Sequence, residues 1–162
     1  MPNEPEIKTF MEIFKHTAGN INILLADDDE DDRLFFSTAL SEMVFDCNLA
    51  FAHDGVELLD TLNNISELPD IVFLDMNMPK KSGLEALQEI RANRKFDTIC
   101  IVIYSTLDSE EQVDKLLAEG ANIYFNKPAE LDKIKDMIRQ VIRIYRYYPD
   151  LGSKEEAFYL SM

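Results

Sequence analysis

Between Ile21 and about Arg146 the chain alternates short apolar runs with amphipathic helical patterns, five times over. Parallel strands cannot be joined by tight turns, so an alternation of this kind predicts a parallel sheet crossed by helices. The runs predict strands at Asn22–Ala26, Asn48–Ala52, Ile71–Asp75, Ile99–Tyr104 and Asn122–Asn126. IVFLD and ICIVIY are apolar without alternation, as central strands covered on both faces would be. NLAFAH alternates more and reads as an edge strand.

Helices are predicted between the strands. The first, Glu30–Glu42, carries Leu34, Phe35, Thr38, Ala39 and Met43 at helical spacing, with Glu30, Asp31 and Asp32 as helix-dipole and solvation residues in its first turn. Asp29 is the expected cap. Asp54 to about Asn63 is a shorter helix. Ser82–Ala92 and Ser109–Glu119 both open with the S/T-x-x-E/Q capping box, and Gly120 stops the latter. A closing helix, Glu130–Tyr147, has Leu131, Ile134, Ile138, Val141 and Ile142 on one stripe. The expected organisation is an N-terminal extension (1–20, with apolar Ile7, Phe10, Met11, Ile13 and Phe14), one domain (21–147) and a C-terminal tail (148–162).

Bulk properties narrow the function. A formal net charge of −15 argues against a nucleic-acid backbone or an anionic membrane as the main partner, since both would repel this surface. The apolar runs are far shorter than a spanning helix needs, and Met1–Glu6 is polar, so a cytoplasmic protein is expected. Cys47 and Cys100 stand outside any CxxC pair and read as buried thiols.

The chemistry sits where the apolar runs end. INILLA runs into Asp27 and Asp28, IVFL into Asp75, CIVIY into Ser105 and NIYFN into Lys127. In a doubly wound sheet these ends share one crevice, the usual ligand site of such folds. Three carboxylates there would repel one another without a cation, and an all-oxygen set with no His/Cys cluster suits Mg²⁺ better than zinc. An ammonium and a hydroxyl beside them make a clamp for phosphoryl oxygens, with Asp75 as a carboxylate nucleophile.

Through INILLADDDEDD, IVFLDMNMPKKSG, IVIYST and NIYFNKP the chain resembles the receiver domain of two-component response regulators from about Ile21 to Tyr145. The resemblance implies a flavodoxin-like α/β fold, a five-stranded parallel sheet in the order 2-1-3-4-5 with helices on both faces. It implies Asp75 as phosphoacceptor, and Asp27 and Asp28 as the acidic pair holding Mg²⁺, with Asn77 lending its backbone carbonyl. Ser105 matches the hydroxyl switch, Tyr124 the aromatic switch and Lys127 the family's lysine. Thr106 stands where the family usually has Ala or Gly, which bears on access to the phosphoryl group. The implied role is a phosphoacceptor switch, not a classical enzyme. It would be charged by a sensor histidine kinase or histidine phosphotransfer protein and would signal to a downstream protein. Apart from the resemblance, the tail aromatics Tyr145, Tyr147, Tyr148, Phe158 and Tyr159 are expected to pack back on the domain, with a partner or homodimer surface as the second reading.

Two alternatives come from other classes. An aspartyl-nucleophile phosphatase of the haloacid-dehalogenase kind needs an acid two residues past its nucleophile, where this chain has Asn77. An unphosphorylated docking module would lack an acid or the lysine, and neither is missing.

Overall fold

The computed structural model describes residues 19–107 and 109–147, and the backbone alone of 158–160. Strands β1 (Ile21–Ala26), β2 (Cys47–Ala52), β3 (Ile71–Leu74), β4 (Cys100–Ser105), β5 (Ile123–Asn126) and β6 (Phe158–Leu160) form one sheet in the order β2-β1-β3-β4-β5-β6. Every neighbouring pair is parallel. The first five keep the expected 2-1-3-4-5 order, with β2 at the edge that its alternation indicated and β3 and β4 buried along their whole length.

Helices α1 (Glu30–Ser41), α2 (Gly55–Asn64), α3 (Gly83–Ala92), α4 (Glu110–Ala118) and α5 (Leu131–Tyr147) cover both faces. Alternate strand residues point to opposite sides, so the core is double. Leu24, Val72, Ile101 and Ile103 meet Leu58 and Leu62 of α2, Leu87 and Ile90 of α3, and Val113 and Leu116 of α4. On the other side Ile23, Leu25, Phe73 and Val102 meet Phe36 and Leu40 of α1 and Ile134, Ile138 and Val141 of α5.

Helix starts follow the caps. Asp29, Asp54, Ser82 and Ser109 each accept a first-turn amide, and at Ser82 the reciprocal bond from Glu85 completes the capping box. Gly120, at φ 108, ends α4 in the left-handed region.

Two expectations change. Five strands were expected, but a sixth lies beyond β5: Ile123, Tyr124 and Phe125 pair in register with Phe158, Tyr159 and Leu160. A run of three residues in a polar tail carries too little local pattern to reveal a strand; the free edge of β5 supplies the partner. On α1 the buried residues are Phe36, Ala39 and Leu40, with Met43 buried just past its end, whereas Leu34 and Phe35 are 64% and 50% exposed. Two apolar stripes compete in this helix, and Phe36 decides between them by packing edge-on to Phe73 and Tyr104, at centroid distances of 4.8 and 5.9 Å. The apolar residues of the N-terminal extension, Tyr148, and the side chains of Phe158 and Tyr159 lie outside the described residues.

Candidate functional site

The sheet itself fixes the spacing of the polar strand ends. Backbone ladders run one residue past the strands: the Asp27 amide donates to Ala52 O and the Asp75 amide to Ala26 O, each at 3.0 Å, and the Lys127 amide donates to Ser105 O at 3.3 Å. Residues far apart in the chain are thereby set side by side at one end of a rigid sheet.

Asp27 and Asp75 are buried and Asp28 is exposed, and one oxygen of each lies within 4.8 Å of the others. Asp27 Oδ1 accepts the Asp29 amide at 3.0 Å, and its Oδ2 accepts from Lys127 Nζ at 2.8 Å. Asp75 Oδ1 accepts from Ser105 Oγ at 3.0 Å and from the Asn77 amide at 3.4 Å, while its Oδ2 lies 3.7 Å from Lys127 Nζ. Carboxylate oxygens have two lone pairs each, so these bonds leave capacity for a cation. The donor set is hard oxygen throughout, as Mg²⁺ or Mn²⁺ prefers.

Electrostatics point the same way. Burial pushes the carboxyls of Asp27 and Asp75 above their ordinary range, against the opposing pull of Lys127. Burial alone would lower the Lys127 ammonium, but bonds to Asp27 and Asp32 and the charge of Asp75 outweigh it and move it up. The site is a cluster of acids gathered around the ammonium of Lys127.

The turn after β3 is built around Asp75. Gly83, the first residue of α3, donates its amide to Met76 O at 3.0 Å and lies so close to Asp75 that a Cβ there would stand 2.3 Å from the Asp75 carbonyl oxygen. Lys80 occupies the left-handed region at φ 65, and its ammonium lies 3.3 Å from Asp54. Asn77 is exposed in the same turn, and Thr106 is exposed just beyond Ser105.

Tyr124 is buried, and its hydroxyl donates to Ser105 O at 3.4 Å. The Tyr124 ring thus lies inside the fold, next to the strand end where Ser105 meets Asp75.

Two neighbours of the lysine escaped the sequence reading. Asp32, expected to serve only the helix dipole and solvation, accepts from Lys127 Nζ at 2.7 Å. Tyr104 presents its ring 5.1 Å from the same ammonium. The only sequence signal for Asp32 is its position one helical turn past Asp28. Asp29 caps α1 as expected, accepting the amides of Asp31 and Asp32.

Comparison with known proteins bears on this arrangement directly. The family model described as the response regulator receiver domain matches residues 23–139, well over half the chain. This chain belongs to the response regulator receiver domain family. Among relatives, the response regulator MprA of Mycobacterium sp. (strain KMS) is 34% identical over 137 residues, covering 85% of this chain and 56% of the relative. MprA of Mycobacterium bovis (strain BCG / Pasteur 1173P2) is 33% identical over 124 residues, 76% of this chain and 51% of the relative. This receiver chain therefore spans about half the length of the curated relatives it matches.

Among solved structures, the phosphorylated cyanobacterial phytochrome response regulator RcpA superposes with a TM-score of 0.72 at 25% identity, over 78% of this chain and 94% of that one. The Mn²⁺-bound form of response regulator Rcp1 gives 0.69 at 27% identity, over 77% and 94%. Receivers are signalling switches. The phosphatase alternative is not favoured, and the amide of Asn77 is the local reason. Among the described residues, no helix is long and apolar enough to cross a membrane.

Proposed function

We propose that this chain is a phosphoacceptor switch acting through protein contacts, with Asp75 as the acceptor. The observation that carries the reading is the Asp75 carboxylate, buried at a sheet end beneath the hydroxyl of Ser105 and beside the ammonium of Lys127. The donor is a phosphohistidine on a sensor histidine kinase or a histidine phosphotransfer protein. A carboxylate oxygen of Asp75 attacks phosphorus, the P–N bond breaks, and its electron pair returns to the imidazole nitrogen. Lys127 offsets the charge of the phosphoryl oxygens and Ser105 donates its hydroxyl to one of them.

Asp27, Asp28 and Asp75, with the backbone carbonyl of Asn77, are the residues that would hold Mg²⁺, which when bound supplies charge neutralisation at the phosphoryl oxygens. The Mn²⁺-bound form of Rcp1 supports a divalent cation here. Ser105 and Tyr124 are the switch residues: the Tyr124 hydroxyl is tied to the Ser105 carbonyl, so a shift of Ser105 toward a phosphoryl group is felt at the ring. The face made by α4, β5 and α5 then changes for a downstream protein, which includes a second copy of this chain. The setting is the cytoplasm, and the functional unit is residues 21–147.

The test is incubation with phosphoramidate and Mg²⁺ followed by intact-mass measurement. Wild type gains one phosphoryl group only when Mg²⁺ is present, and Asp75→Asn gains none. Equal uptake by Asp75→Asn would overturn the assignment.

A further inference from the structure

We propose that Asp32 is a positioning residue for Lys127, holding the ammonium beside Asp75 when a divalent cation takes over Asp27. This deepens the phosphoacceptor reading and rests on it. Lys127 has three N–H bonds to place, and the structure gives it two short carboxylate partners, Asp27 Oδ2 at 2.8 Å and Asp32 Oδ2 at 2.7 Å. Asp75 Oδ2 stands farther off at 3.7 Å.

The difficulty is competition. Asp27 belongs to the acidic set that fits a cation, yet one of its oxygens is already bonded to Lys127. A divalent ion at Asp27 weakens that bond and repels the ammonium. With Asp27 as its sole short partner, the lysine would either hold the carboxylate against the cation or be driven from the site.

Asp32 removes the dilemma. It lies on the first turn of α1, outside the set of acids close enough to share an ion, and is partly exposed. It can keep the ammonium while Asp27 changes partner. The ring of Tyr104, 5.1 Å from Nζ, supports the lysine from the core side. An ammonium braced by Asp32 and Tyr104 keeps an N–H available toward Asp75 in both the cation-free and the cation-bound site.

A neighbouring acid, Asp31, separates a specific bond from a general field. Asp31 carries the same charge one residue away, is exposed, and donates its amide to the Asp29 side chain. Cation affinity is measured by titrating Mg²⁺ calorimetrically into wild type, Asp32→Ala, Asp32→Asn, Asp32→Glu, Asp31→Ala, Lys127→Met and the Asp32→Ala and Asp31→Ala changes in the Lys127→Met background, with thermal unfolding as the check on folding. Phosphoramidate uptake is followed in parallel.

Asp32→Ala is expected to weaken Mg²⁺ binding about tenfold and to slow uptake by a similar factor, consistent with loss of one charge-assisted bond. Asp31→Ala changes either by less than about twofold, as a distant exposed charge does. Asp32→Glu, which restores a carboxylate within reach, recovers much of the loss. In the Lys127→Met background, Asp32→Ala has no effect beyond that of Asp31→Ala, because its partner is gone.

Equal effects of Asp31→Ala and Asp32→Ala, or an Asp32→Ala effect that persists without Lys127, would overturn the proposal. So would wild-type behaviour of Asp32→Ala and Asp32→Asn. If Lys127→Met does not fold, the comparison of Asp32 with Asp31 decides alone. Absence of uptake by wild type itself would instead strike the phosphoacceptor reading, while the calorimetric comparison would still judge the role of Asp32.

Discussion

Lys127 is the cation that pairs with the carboxylates of the buried acids Asp27 and Asp75, so replacing it by methionine probes the electrostatics of the whole site. Methionine keeps the aliphatic stem over Tyr104 and deletes the charge. Breaking a buried ion pair typically costs about 3–5 kcal/mol, because a desolvated charge is left alone. Here the Asp27 side chain is fully buried and that of Lys127 is 16% exposed, while Asp28 opens the site to water on one side. The lower end applies, about 3 kcal/mol. For a domain of this size that lowers the melting temperature by roughly 6–12 °C.

The pH dependence identifies the cause. Both carboxyls already titrate above their ordinary value of 3.8, and loss of the lysine raises them further. A carboxyl whose folded pKa is raised takes up its proton in the folded state first, so its destabilising contribution disappears as pH falls through that raised value. Urea unfolding of Lys127→Met at neutral pH is therefore expected to show the full deficit, and the same measurement at about pH 4 a much smaller one. Added Mg²⁺ at neutral pH restores part of the loss by occupying the acidic set. A variant as stable as wild type at neutral pH, or a deficit unchanged on acidification, would refute the electrostatic account.

Gly83→Ala puts a Cβ 2.3 Å from the Asp75 carbonyl oxygen, an overlap relieved only by moving the turn, at a cost of about 1–3 kcal/mol. It should both lower the melting temperature and slow phosphoryl uptake. Asp54→Ala removes the cap of α2, whose Oδ1 accepts the Glu57 amide at 2.8 Å, and should cost about 1 kcal/mol at neutral pH. That bond, helped by Lys80, holds the Asp54 carboxyl below its ordinary 3.8, so the stabilisation is present above that value and fades as pH falls through the lowered one. Wild type and Asp54→Ala should therefore converge in strong acid. Removing residues 158–162 takes β6 from the edge of β5, and amide hydrogen exchange should speed up within Ile123–Asn126 while the centre of β3 stays protected.

The strand ends were readable because the features that make them are local. An unbroken apolar run such as IVFL marks a strand buried on both faces, and a polar residue where the run stops marks the end of that strand. The caps at Asp29, Ser82 and Ser109 were readable for the same reason, since a cap and the amide it satisfies lie within three residues. The buried face of α1 was not. Leu34, Phe35 and Phe36 are consecutive, any of them could have led an apolar stripe, and only the aromatic pocket formed by Phe73 and Tyr104 selects Phe36.

The sequence by itself determined the parallel α/β plan, the buried centre and open edge of the sheet, and the gathering of acids, hydroxyl and lysine at one end. These follow from hydrophobic periodicity and from chain direction. Tertiary structure alone decided who bonds to whom there: Asp32 to Lys127 across 95 residues, Tyr124 to the Ser105 carbonyl, and β6 against β5. Such pairings depend on how separate elements pack. An acid on the first turn of a helix looks the same in the sequence whether it faces water or a buried ammonium.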